Sequence, residues 1–153
     1  MSDFLAGKSL RQLQKGLKVE RAIAALPQTA AAAIFTVTGG RVAIRQIVGE
    51  VTTVIQNNPN NTKLTANPTT GTSVDICAVL NIAADEVGTL YGISGLNSDA
   101  MIGINAGALP GQTRDVIVNI GTIDLDCAAN NTGSVKWTLF YIPIDDGAAV
   151  TAA

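Results

Sequence analysis

The stretch AAAIFTVTGGRVAIRQIVGEVTTVIQ, residues 31–56, decides the fold class of this chain. β-branched residues dominate both of its halves, which is typical of strands. Gly39-Gly40 separates the halves, and two glycines between β-rich runs favour a hairpin turn because both tolerate positive φ. Gly49 inside the second half indicates a bulge or a corner. The stretch therefore predicts two strands, over 31–38 and 41–56, joined by a tight turn.

The rest of the chain repeats this pattern of short β-rich runs between turn residues. Asn57-Asn58-Pro59-Asn60-Asn61 is a turn by composition, as are residues 67–71 and 106–112. Further strands are predicted over 62–66, 73–82, 88–94, 100–105, 113–120, 122–128 and 134–144. Eight or nine short strands at nearly regular spacing are typical of an all-β sandwich or barrel. We expect an antiparallel, jelly-roll-like β-sandwich over residues 28–145, followed by a C-terminal tail over 146–153.

The first 27 residues differ from this body in pattern and in charge. Leu10, Leu13 and Leu17 follow the spacing of one helical face, and Pro27 ends the pattern. Residues 1–25 carry five basic side chains against two acidic ones, whereas the remainder carries five basic and ten acidic. We predict a basic N-terminal arm or amphipathic helix over 1–27. It packs on its own domain or docks on a neighbour or a larger assembly; a membrane-surface or nucleic-acid helix has weaker support.

If the arm is a docking segment, its basic and leucine residues make the contact, and these are Lys8, Leu10, Arg11, Leu13, Lys15, Leu17, Lys18 and Arg21. A second candidate contact lies on the strand predicted near the end of the body. Both faces of residues 135–142 are largely apolar, whereas a strand with one wet face alternates. Trp137, Phe140 and Tyr141 are therefore candidates for a subunit interface; the alternatives are cover by the arm or by loops of the same chain.

The composition excludes most catalytic designs. The 153 residues include no histidine, so Ser-His-Asp triads, Cys-His dyads and histidine zinc sites are absent. Only 14% of the residues are charged, which is low for a soluble domain and suggests that much surface is buried between subunits. No run of about 18 apolar residues indicates a membrane span. We expect no enzymatic activity, no catalytic residues, no cofactor, no metal, and neither nucleic acid nor membrane as a partner.

A few residues still require a separate reading. Asp124 and Asp126 share one face of a predicted strand; a solvated face is the simplest interpretation, with Ca²⁺ binding or acid–base catalysis as alternatives. Asn60 and Asn130 begin glycosylation sequons that are more simply explained as turns. Cys77 and Cys127 are expected to be buried free thiols, although a disulfide stays open.

The overall sequence pattern of the body resembles that of small virion structural proteins of tailed bacteriophages, especially head decoration (cement) proteins. The stretches that carry the likeness are 34–42, 47–53, 66–72, 125–128 and 137–141. The resemblance implies a homotrimeric β-sandwich, made in the host cytoplasm, that binds the major capsid protein on the outer surface of the shell and stabilises it. It transfers no individual site residue. The alternative is another virion component, such as a capsid-fibre base, a tail protein or a host-surface-binding module.

Overall fold

Gly39-Gly40 does not close a hairpin but carries the chain from one sheet to the other. In the computed structural model, which describes residues 6–105 and 107–153, the strands on either side of it belong to different sheets. Gly39 and Gly40 have φ values of 77° and 154°. A Cβ on Gly39 would lie 2.2 Å from the carbonyl oxygen of Gly147. The predicted hairpin is therefore wrong. The two glycines instead allow the chain to pass close to the segment around Gly147 as it crosses between the sheets.

The described residues contain one helix and twelve strands, listed here in chain order: α1 (Gly7–Lys15), β1 (Leu17–Ala25), β2 (Ala30–Thr38), β3 (Val42–Thr53), β4 (Asn61–Pro68), β5 (Val74–Asp75), β6 (Leu80–Asn81), β7 (Leu90–Gly92), β8 (Ile102–Ile104), β9 (Val116–Val118), β10 (Gly121–Cys127), β11 (Ser134–Pro143) and β12 (Ala149–Ala152). Residues 1–5 of the predicted arm and Ala106 of the predicted 106–112 turn lie outside the described residues.

The strands form two six-stranded antiparallel sheets, which we call sheet A and sheet B. Sheet A has the order β1-β11-β3-β7-β8, with β9 also paired to β3. Sheet B has the order β12-β2-β10-β4-β5, with β6 also paired to β4. The edge strands β1 and β12 contact each other, so the sheets share one lateral edge. The predicted all-β antiparallel sandwich is confirmed; the jelly-roll topology stays a prediction.

The core lies between the two sheets and is built from alternating inward residues. Every second residue of β11 is buried, from Val135 to Tyr141, and the residues between them are only partly covered. The same period runs along β4 and β10. The Trp137 ring stacks on Tyr91 with ring centroids 6.3 Å apart. The sandwich therefore closes its apolar interior within one chain.

Both edge strands at the shared lateral edge come from segments predicted to lie outside the sandwich. The helix predicted to reach Leu26 ends at Lys15, and the following residues form β1 against β11. Gly16 stops the helix, with φ of 90° and a Cβ position only 2.1 Å from the carbonyl oxygen of Tyr141. The predicted tail contains β12, which pairs with β2 and buries Val150. Strand pairing overrides the helical spacing of the N-terminal segment and the polar, small-residue composition of the C-terminal segment.

Candidate docking surfaces

The helix α1 has a free apolar face. None of its residues is buried, and Leu10 and Leu13 are 48% and 69% exposed. The helix begins after Ala6, whose side chain makes no capping hydrogen bond. The helix is followed by Gly16, which packs closely against the backbone of β11. An exposed leucine pair on a helix without buried residues is a candidate contact surface, because no other side chain of residues 6–105 and 107–153 buries it.

The same helix carries positive charge and no negative charge. Lys8, Arg11 and Lys15 take part in none of the ion pairs found among the described residues, and α1 contains no acidic residue. By contrast, four of the five cations after residue 25 lie within 4.0 Å of a carboxylate oxygen. The helix is therefore a cationic, partly apolar surface on a body with an excess of carboxylates.

The eight predicted arm residues fall on two different elements. Lys8, Leu10, Arg11, Leu13 and Lys15 lie on α1, whereas Leu17, Lys18 and Arg21 lie on β1. The β1 cations have local partners: Lys18 Nζ is 2.8 Å from Glu20 Oε1, and Arg21 Nε donates to the carbonyl oxygen of Ala153. The hydrogen bond from Lys18 is the main cause that lowers the pKa of Glu20. The α1 members of the set form one exposed surface, and Leu17 and Lys18 of β1 border a groove beside it.

Of the three predicted interface aromatics, two lie in the interior. Trp137 and Tyr141 are 1% and 5% exposed and belong to the core of their own chain. They therefore offer no surface to another subunit, which corrects the prediction for both. Their strand is apolar on that side because it lines the sandwich. Phe140 lies on the outer face of sheet A, where it borders a 330 Å³ groove together with Lys8, Arg11 and Lys18.

The sequence reading missed a second apolar surface, at the other lateral edge of the sandwich. A cavity of about 410 Å³, here called the edge groove, opens between β9 of sheet A and β4 and β5 of sheet B. Its most exposed large apolar side chains are Ile117 (65%), Val74 (56%) and Leu96 (38%). The run Val116-Ile117-Val118 is apolar on both sides of the strand, a signal that was available in the sequence. The groove has the size of a small-ligand or side-chain pocket.

The acidic pair on β10 lies on the outer face of sheet B, as the two-residue spacing requires. Asp124 is only 7% exposed, so the prediction of a solvated face is wrong for this residue. Its Oδ2 accepts a hydrogen bond from Asn67 Nδ2 at 3.3 Å, and its register partners are Ala33 and Thr65. No cluster of three or more acidic, cysteine or histidine residues suited to a metal occurs in residues 6–105 and 107–153.

The Asn-rich turns form a buried polar cluster at one end of the sandwich. Asn131 is 1% exposed; its Nδ2 donates to the carbonyl oxygens of Gln56 and Asn58, and its Oδ1 accepts from Asn60 Nδ2. Asn60 is fully buried, so its amide is closed to glycosylation in the folded chain. The two asparagines satisfy backbone groups of two turns, at Gln56 and Asn58 in one and at Ala129 in the other. Its role is structural.

The remaining titratable groups in the interior act in the same structural way. Tyr91 Oη donates to Asp85 Oδ2 at 2.5 Å, and burial, with that hydrogen bond, raises the pKa of Tyr91 well above its usual range. Burial also raises the pKa of Asp85. Cys77 and Cys127 are buried free thiols whose pKa values are raised by burial, as expected from the sequence. A raised thiol pKa disfavours the nucleophilic thiolate.

Within the described part of the chain, no helix has the length and apolarity needed to cross a membrane. The chain has no significant match to a protein-family model, to a curated protein or to a solved structure.

Proposed function

We propose that this chain is a non-enzymatic structural subunit of a bacteriophage virion, a decoration protein that binds the outer surface of the capsid shell and stabilises it as a homo-oligomer, with three copies as the expected number. The proposal rests on one observation. The chain buries its own core completely, yet it exposes apolar and cationic surfaces. The sandwich needs no partner to bury its interior, yet α1 and the edge groove leave apolar side chains in solvent.

Exposed apolar and cationic surfaces suit a protein whose function is to bind another protein. A large apolar side chain that goes from full exposure to full burial contributes roughly 1.5–3 kcal/mol, and the partly exposed side chains of these surfaces contribute a fraction of that. The three cations of α1, which form no ion pair with any residue that the structure describes, add long-range attraction to an acidic partner surface and speed its association. The low charge content of the whole chain fits a surface of which much is covered after assembly.

The proposal is tested with heads of the phage whose genome encodes this chain, purified without the protein. We expect the added full-length protein to co-sediment with these heads in a density gradient and to raise the temperature at which they release DNA. A genome without head genes, or heads that leave the protein at the top of the gradient, would show the proposal to be wrong. Binding to purified tails instead of heads would favour the alternative virion role.

A further inference from the structure

We propose that α1 of one subunit docks in the edge groove of a second copy of this chain, so that copies join head to tail. The proposal concerns the self-association of the chain and stands or falls separately from binding to a shell. It rests on three observations: the positions of the two surfaces, their apolar character, and their charges.

The two surfaces lie at opposite edges of sheet A, at the same level along the strands. Leu17 of β1 pairs with Tyr141, Tyr141 with Ile44, and Ile44 with Val116 of β9. Four strands at roughly 4.8 Å spacing therefore separate the end of α1 from the groove by about 14 Å. Gly16 holds α1 against β11 at the first edge. In this arrangement the helix does not cover the groove of its own chain, and a second copy has the complementary surface.

The apolar side chains of the two surfaces are both uncovered. Leu10 and Leu13 stand free on the helix, one turn apart, whereas Val74, Leu96 and Ile117 stand free around a cavity of about 410 Å³. Amphipathic helices that bind in a groove usually insert apolar side chains spaced one helical turn apart, as these two leucines are. One contact of this kind would cover both exposed sets.

The charges are complementary as well. The helix carries Lys8, Arg11 and Lys15 and no carboxylate. The residues that line or adjoin the groove carry three carboxylates, Asp75, Asp99 and Asp115, and three cations, Arg45, Lys63 and Arg114. The excess of negative charge belongs to the body as a whole, because residues 26–153 carry ten acidic side chains against five basic ones. The cationic helix of one copy is therefore attracted to the acidic body of another.

The contact uses different patches on the two subunits, so it is heterologous. Heterologous contacts close into rings when the rotation permits and otherwise extend into filaments. A ring of three 15.7 kDa copies has a mass of about 47 kDa, the number of copies expected for the proposed function. Each subunit then donates one helix and accepts one.

The test compares solution masses by size exclusion with light scattering for four single variants of the full chain. Leu13→Glu removes the most exposed helix leucine, and Ile117→Lys removes the most exposed large apolar side chain of the groove; neither residue is buried. Gln14→Glu places the same charge on the same helix while keeping both leucines. Val87→Lys places the same charge at an exposed valine away from both surfaces. We expect the first two variants to be 15.7 kDa monomers and the two controls to assemble like the unmodified chain.

A mixing experiment identifies the head-to-tail geometry. Leu13→Glu keeps an intact groove and Ile117→Lys keeps an intact helix, so the mixture can form one good contact but no ring. We expect the mixture to give a heterodimer of two 15.7 kDa chains, about 31 kDa. Circular dichroism confirms that each variant is folded.

Three results would overturn the proposal: a monomeric unmodified chain, full assembly of Leu13→Glu or Ile117→Lys, or equal dissociation of a control. A mixture that stays monomeric would also overturn it. If the unmodified chain is monomeric but binds heads, and Leu13→Glu abolishes that binding, then α1 contacts the shell instead; shell binding survives, whereas this inference and the expected homo-oligomer do not. If the chain assembles as described but binds no heads, this inference survives alone.

Discussion

Gly49 shows how a single residue accommodates the largest side chains of the core. It pairs with Trp137 on one neighbouring strand and with Tyr91 on the other, and the two rings stack on each other. A Cβ on Gly49 would lie 2.8 Å from two ring atoms of Trp137. The sequence suggested a bulge or a corner there, but no register shift occurs at this pair. The glycine is present because the ring lies across it.

Gly49→Ala is therefore expected to destabilise the chain. Overpacking of this kind costs about 1–3 kcal/mol of the free energy of unfolding. Gly111→Ala is the matched control, since its nearest neighbouring atom is 3.8 Å from the added Cβ. Urea unfolding followed by tryptophan fluorescence measures both. A stability of Gly49→Ala equal to that of the control would contradict this account of Trp137.

Asn131 and Asn130 are adjacent, but we expect the stability of the chain to depend on the first and not on the second. Asn131→Asp removes both donors from the buried carbonyl oxygens of Gln56 and Asn58 and buries a carboxylate. We expect a loss of roughly 3 kcal/mol or more, as for an uncompensated buried charge. Asn130→Asp keeps the oxygen that accepts from Thr29 Oγ1 at an exposed site. Its thermal midpoint should stay near that of the unmodified chain, and similar losses in both variants would contradict the cluster's role.

Asp145 gives the stability of the chain an acid dependence. Hydrogen bonds from the Arg41 side chain, then from its backbone N–H, hold the pKa of Asp145 well below its usual range. A lowered folded-state pKa adds stability above the unfolded value of about 3.9, and this is lost as the pH falls through the folded value. Asp145→Asn lacks this titration. The urea midpoints of the two proteins should differ most near pH 7 and converge on acidification; a constant difference would contradict the assignment.

At the scale of the elements, the N-terminal segment divides at Gly16 into a free helix and an integral strand. Deletion of residues 1–15 removes α1, none of whose residues is buried. Deletion of residues 1–25 also removes β1 and leaves one side of β11 unpaired. We expect the shorter deletion to keep the thermal midpoint of the sandwich and the longer one to lower it by several degrees or to prevent folding. Equal midpoints would show that β1 is dispensable.

The elements also show which parts of the fold can be predicted from sequence. Strands such as β4, β10 and β11 were predicted within a few residues because β-branched runs and Asn- or Gly-rich turns mark them locally. The predicted strand over 73–82 is instead two short strands, β5 and β6, with the buried residues Ile76 and Cys77 between them. Pairing partners are set by distant residues, so neither the sheet change at Gly39-Gly40 nor the strand β12 was visible in local composition.

The candidate surfaces follow the same division. Leu10, Leu13 and the helix cations were identified because helical spacing and charge are local properties. The interior position of Trp137 was not, since an apolar strand face looks the same whether it lines a core or an interface. The edge groove joins Val74 to Ile117, which are far apart in the chain and meet only after both sheets form.

On the scale of the whole molecule, the two thiols test whether the sandwich unfolds as one unit. Cys127 lies on the central strand β10, whereas Cys77 lies beside the short edge strand β5. Both are 1% exposed, and Leu64 N donates to the Cys77 sulfur at 3.3 Å. Local opening of the edge would expose Cys77 alone, while global unfolding exposes both.

We expect both thiols to react with a thiol reagent at the same slow rate in native buffer, because Cys77 shares one continuous core with Cys127. Their raised pKa values slow the reaction further by disfavouring the thiolate. Peptide mass spectrometry after timed labelling resolves the two sites, and a concentration of urea near the midpoint should accelerate both equally. Faster labelling of Cys77 would show that β5, which forms one wall of the edge groove, opens by itself; the groove would then be a mobile surface and not the rigid acceptor that helix docking requires.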